Sequence, residues 1–346
     1  MNKAALGWEL KILVVIAAIF SIIYAKPILF PLVVSFILYL LLSPLVEVMA
    51  RIKIPRTLAS ALIVGLLLVI ASSAISVLVQ PATDWIDHAP ESFSKIEKKF
   101  KYIKSSLGKL NKAADTAQEL TADNNVNKIE VVTHGTSLGY SIFDLTTNFL
   151  LLISTILLFI FFLLIYFPAL IQNLERILYE RRRIVKENAY IVRLKNEVSA
   201  YLFTFTLICA GLGTVVAFVF WLLGLPNYIL WGAMAMFLTF IPYIGHLIGI
   251  ITILFVSLTT FDSYFYIFTP PIVYFLLTVL EGQIITPIFL GSRLNLNPLI
   301  VFLSMFIWSG MWGIGGIFIS VPLLIAIKIT MEKIPSLSKY TALLEK

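Results

Sequence analysis

The feature that most constrains this chain is a succession of apolar runs long enough to cross a lipid bilayer. A spanning helix needs roughly 20 mainly apolar residues, because the hydrocarbon core is about 30 Å thick and leaves backbone groups no partners but each other. Runs near 10–25, 28–49, 57–80, 145–168, 199–223 and 264–281 meet that condition. Two more, 228–260 and 298–327, are too long for one simple span and are interrupted near their middles. The expected fold is all-α and polytopic. It has about six full spans plus two interrupted re-entrant hairpins, or alternatively eight spans, with a mostly helical external segment between the third and fourth spans. Only 13% of residues are charged, against roughly 25% in soluble domains, which argues against a water-soluble core. The start, MNKAALGWELKILVVIAAIF, has no small-residue cleavage site before the next apolar run and reads as a retained first span.

The single cysteine, Cys209, rules out an intrachain disulfide, and neither a metal site nor a cofactor is expected. A net charge of +7 raises the question of nucleic acid, but no basic module interleaved with aromatics accompanies it. The excess fits the retention of cations on the cytoplasmic side of a polytopic protein. With both termini cytoplasmic, every arginine and most of the 26 Lys and Arg fall inside. The exception is the segment 84–142, whose Phe93, Ile96, Phe100, Ile103, Leu107, Leu110, Ala114 and Ala117 alternate spacings of three and four. Such a seam suits a helix lying on neighbouring helices or the bilayer, or one that self-associates. The run Arg181, Arg182, Arg183 reads as a topology anchor or an anionic-lipid contact. The chain then divides into a three-span bundle (1–83), the external segment (84–142) and a fourth span with a basic linker (143–198). A transport core (199–330) and a cytoplasmic tail (331–346) complete it.

Within that core, a span followed by an interrupted apolar stretch occurs twice. IPYIGH places Pro242 and Gly245 at the first interruption; Gly310, Gly313, Gly315 and Gly316 form the second. If each stretch enters and leaves on one face, the two units have opposite orientations, the inverted repeat in which transporters set their substrate site near the midplane. Two short crossings per stretch give the same sidedness. Unwound tips free backbone groups that can serve as ligands without adding charge. Ionisable groups at membrane depth cost roughly 2.5–3.5 kcal/mol, so each calls for a reason. Glu281 is the main candidate, with Gln283, Thr286 and Pro287 following it and Arg293 as a possible ion-pair partner. His246 follows the first tip and can change charge between pH 5 and 8. Trp221, Trp231, Trp308 and Trp312 are expected as interfacial anchors or at the tips. No serine elbow, P-loop or His–acid cluster is present, so an enzyme is not expected.

Three segments carry a family resemblance: GLPNYILWGAMAMFLTFIPYIG with Leu225, Pro226, Gly232, Ile241, Pro242 and Gly245; EGQIITPIFLGSRLNLNPL with Glu281, Pro287, Gly291 and Pro298; and GIGGIFISVPLLIAIK with Gly313, Gly316, Pro322 and Leu323. Together they resemble the autoinducer-2 exporter family, also called PerM-like permeases, over most of the chain. Where many relatives carry a histidine before the late proline, this chain has Asn297, so no proton role passes to that position. The resemblance implies a bacterial inner-membrane transporter. Some members are described as exporters of autoinducer-2, others as sodium/proton antiporters. The expected function is secondary export of a small polar solute such as a signalling molecule, driven by an ion gradient. Sodium/proton antiport and a channel-like oligomeric scaffold are the alternatives. Expected partners are membrane lipid, a small solute or ion, and a further copy of the chain through the 93–117 helix or the spans. The expected binding set is Pro242, Gly245, His246, Glu281, Gln283, Thr286, Pro287, Gly313 and Gly316.

Overall fold

Prolines and glycines cut the apolar sequence into helices whose ends follow from local chemistry. The computed structural model describes residues 8–87, 138–182, 190–290, 296–333 and 337–344. Helix α1 (Trp8–Tyr24) ends before the Lys26-Pro27 step, where Pro27 opens α2 (Lys26–Arg51), a position at which its missing N–H costs nothing. Helix α2 closes with Lys53 at φ 66° and the Ile54 N–H on the Met49 carbonyl, a left-handed cap that turns the chain into α3 (Arg56–Asp87). Long helices α4 (Leu138–Arg182) and α5 (Tyr190–Leu222) follow. Glu175 of α4 accepts the N–H groups of Ile191 and Val192 at 2.8 and 3.1 Å, capping α5 from a neighbouring helix.

Beyond α5 the elements shorten. Helix α6 (Tyr228–Leu238) and α7 (Ile244–Thr260) meet at the turn Thr239–Tyr243, and α8 (Tyr264–Leu290) follows. Helix α9 (Pro298–Trp312) starts with an Asn297 side-chain cap on the Leu299 N–H. It turns at Gly313 into α10 (Ile314–Lys333), and a 3₁₀ turn (Ser338–Leu343) ends the described chain.

Packing defines the direction of these short helices. Trp85, near the end of α3, touches Trp231 early in α6 and Phe255 late in α7, at ring separations of 5.7 and 5.9 Å. Helices α6 and α7 thus form a hairpin open at the Trp85 end, and its tip reaches the middle of α5, where Phe240 packs on Phe205 at 5.3 Å. Helices α9 and α10 form a second hairpin, joined by the Ser304 hydroxyl donating to the Ser320 carbonyl at 3.3 Å. Its tip points the opposite way, with Trp312 against Phe30 at 5.9 Å near the start of α2. Each tip is closed by a glycine on a preceding carbonyl. A Cβ on Gly245 would overlap the Leu238 oxygen, and one on Gly316 the Trp308 oxygen. One core cluster holds α2, α3, α4, α5 and α10 together around Tyr39, Leu164, Tyr201 and Ile325; a second, at the Trp85 end, centres on Phe220, Trp231, Ile253 and Tyr274.

Among the described residues, six helices are long and apolar enough to cross a membrane, and five of them fall on expected spans. Helix α1, described from Trp8, has 17 residues, about 25 Å of rise. The sixth is α10, because the glycine-rich interruption condenses into the single turn at Gly313 (φ 71°) and leaves the residues after it continuously helical. Trp231 is not an interfacial anchor, being buried and donating to the Pro226 carbonyl at 2.9 Å, while Trp312 is buried at the second tip, one of its two expected places. The 93–117 seam and Arg293 lie outside the described residues.

Candidate functional site

Helix α8 changes its hydrogen-bond period at Glu281. Pro287 has no N–H to give the Gln283 carbonyl, and its ring would crowd that oxygen in a regular helix. The chain resolves the conflict with a π-turn over Glu281–Ile285, in which the Thr286 N–H bonds the Glu281 carbonyl five residues back. This places the Thr286 side chain beside that of Glu281, and the Thr286 hydroxyl donates to Glu281 Oε1. Both are buried, Glu281 at 3% exposure. Single π-turns of this kind cluster at functional sites.

The α6/α7 tip faces this turn. His246 Nε2 stands 4.0 Å from Glu281 Oε2, buried and with no hydrogen-bond partner of its own among the described residues. Between tip and turn is a cavity of about 480 Å³ lined by Thr239, Pro242, His246, Glu281, Gln283 and Thr286, with walls of Phe205, Phe275, Val301 and Val321. Glu281 also borders a second space of about 420 Å³ between α5 and α8, lined by Leu207, Gly211, Val215 and Phe289. The carboxylate therefore stands at a partition between a polar cavity and an apolar one.

The expected site residues divide into groups. Pro242, His246, Glu281, Gln283 and Thr286 converge on the cavity, with Gln283 exposed. Gly245 is buried behind the tip, where it sets the tip's shape. Pro287 is exposed and does not line the cavity; it acts through the π-turn. Gly313 and Gly316 belong to the other tip, beside Trp312 and Phe30, and the second hairpin reaches the cavity through Val301 and Val321 instead. Thr239 and Phe205 were not among the expected residues. Phe205 comes from a helix remote in sequence and no local pattern marks it, whereas Thr239 opens the first tip itself. Among the described residues, no group of three or more His, Cys, Asp or Glu gathers as a metal site.

Six long apolar helices among the described residues, two opposed hairpins of which α10 is one arm, and a buried acidic side chain at a surface-open cavity define a polytopic membrane protein of transporter type. The chain belongs to the AI-2E family of transporters, whose family model matches residues 11–336. A relative in Haemophilus influenzae is 25% identical over 341 residues, covering 97% of this chain and 95% of its own. YueF of Bacillus subtilis is 26% identical, covering 93% and 91%. The AI-2 transport protein TqsA of Escherichia coli is 25% identical, covering 94% and 92%.

Proposed function

We propose that this chain is a secondary transporter that exports a small polar solute and draws on an ion gradient at Glu281. The observation that carries the reading is the 4.0 Å gap between Glu281 Oε2 and His246 Nε2 on the cavity wall. The gap is too long for a direct hydrogen bond, and the imidazole nitrogen has no other partner among the described residues. A solute hydroxyl or a bound cation between the two would engage both the carboxylate and the ring. Phe205, Phe275 and Tyr243 supply the apolar surround that such sites need for orientation. A solute of the kind that TqsA's name denotes, a small signalling molecule, suits this cavity.

On this reading the α6/α7 and α9/α10 hairpins each enter and leave on one face and form an inverted repeat, with α10, although long enough to cross, folded back along α9. Both termini are cytoplasmic in the bacterial inner membrane, which puts every arginine on the inner side. Sodium/proton antiport is the second reading, favoured by the same buried carboxylate, for which proton and cation would compete. The test is Glu281→Gln in reconstituted vesicles, measuring solute efflux with and without imposed proton and sodium gradients. Gradient dependence is expected to vanish. Efflux with unchanged gradient dependence would remove Glu281 from the mechanism, and proton–sodium exchange without solute movement would select antiport.

A further inference from the structure

The α6/α7 tip turns on Tyr243, which has φ 62° and ψ −59°. The Pro242 carbonyl accepts the Ile244 N–H at 2.7 Å and closes a three-residue γ-turn, of the hand that is rare and strained. A ring-bearing residue at positive φ persists only where its surroundings over-determine it. Here the restraint is a stack of the Tyr243 ring on Phe302 of α9, with centroids 5.8 Å apart and planes 24° from parallel.

That stack stands at a boundary. On one side, Pro242, Tyr243 and His246 line the Glu281 cavity, which opens on the surface beside the exposed Leu247, Phe275 and Gln283. On the other, Ile241, Ile244 and Phe302 line an apolar groove of about 480 Å³ along α9. The groove reaches the protein surface, where Leu299 and Phe306 are 70% and 79% exposed. Adjacent residues face opposite compartments on both elements: Ile241 and Pro242 on the tip, Phe302 and Val301 on α9.

We infer that Tyr243 is a gate between two compartments: release of its γ-turn swings the ring off Phe302 and joins the Glu281 cavity to the apolar groove along α9. The inference rests on the cavity being the transport site and adds a second route to it, through the groove along α9. The strained turn biases the tip toward opening, and the stack holds it closed.

The test uses the full chain in lipid vesicles, with Cys209→Ser and a reporter Thr278→Cys in the cavity wall. Labelling rates are compared for a lipid-soluble N-alkyl maleimide and a membrane-impermeant charged maleimide. Tyr243→Gly removes both ring and strain, Phe302→Leu removes the stack but keeps an apolar side chain, and Tyr243→Phe keeps the ring. Tyr243→Gly and Phe302→Leu are expected to raise the lipid-soluble rate roughly two- to tenfold, the factor for losing one aromatic stack. Tyr243→Phe should match the parent, and the charged reagent's rate should hold constant. No rise in Phe302→Leu, or an equal rise with the charged reagent, overturns the gate. Labelling does not depend on transport, so unchanged labelling beside lost coupling in Glu281→Gln refutes the gate alone. The converse result refutes the site alone.

Discussion

Removing the Thr286 hydroxyl reads out how Glu281 is held. Thr286→Val keeps the branched shape but strands Glu281 Oε1 in a site where the carboxyl group is 3% exposed. A hydrogen bond to a charged group contributes about 1.5–3 kcal/mol, and one between neutral groups about 0.5–1.5 kcal/mol. A carboxylate at position 281 therefore predicts that the folded-to-unfolded ratio falls by about ten- to 150-fold in Thr286→Val, since each 1.4 kcal/mol is tenfold. Glu281→Leu removes the charge together with its need for a partner, and replacing a buried ionic group with an apolar one is often neutral or stabilising. The double variant should accordingly be no less stable than Thr286→Val alone, with a coupling energy of about 1.5–3 kcal/mol in the cycle. Equilibrium unfolding in mixed micelles, followed by helical circular dichroism, measures all four proteins. A coupling below about 0.3 kcal/mol, within the scatter of independent sites, would show that the π-turn does not join these two side chains.

Three further outcomes follow from the packing. Gly232→Ala places a Cβ at 2.5 Å from the Gly213 carbonyl oxygen and 2.6 Å from the Ala217 Cβ, so α5 and α6 must separate. A loss of about 1–3 kcal/mol is expected, whereas Gly211→Ala, which meets nothing within 4 Å, should be neutral or gain up to about 1 kcal/mol. Equal melting shifts for the two would contradict the close crossing. Gly313→Ala forces a side chain into φ 71°, ψ −147°, and should lower stability by about 1–3 kcal/mol; an unchanged melting temperature would mean that the α9/α10 turn is not held there. Glu175→Ala removes the cap on Ile191 and Val192 and should cost about 0.5–2 kcal/mol, with faster amide exchange confined to the first turn of α5. Exchange that does not change in that turn would show that the cap is not made.

Much of this was legible along the chain. Lys26-Pro27 separates α1 from α2, and Pro242 with Gly245 marks the first tip, because both effects act over a few residues. The second tip was legible only as a glycine-rich stretch. Gly310, Gly313, Gly315 and Gly316 all permit a turn, and only Gly313 takes the positive φ, while Gly316 serves close packing on Trp308. Glu281 stood out as an ionisable group in an apolar run, and Thr286 and Pro287 stood beside it. That a π-turn would bring Thr286 onto the carboxylate was not visible, since it depends on how the helix relieves one proline.

Local composition dictated that this chain lives in a bilayer, where its helices break, and that its few polar residues at depth needed an explanation. Those conclusions rest on backbone hydrogen bonding and chain length, which each short segment satisfies or fails alone. Packing alone decided which break meets which polar group. The first tip closes on Glu281, while the second passes it and ends against Phe30. It also set Tyr243 on Phe302, between a polar cavity and an apolar groove. Contacts among α5, α7, α8 and α9 join residues about 20 to 100 positions apart in sequence, and helical periodicity carries no record of such pairings.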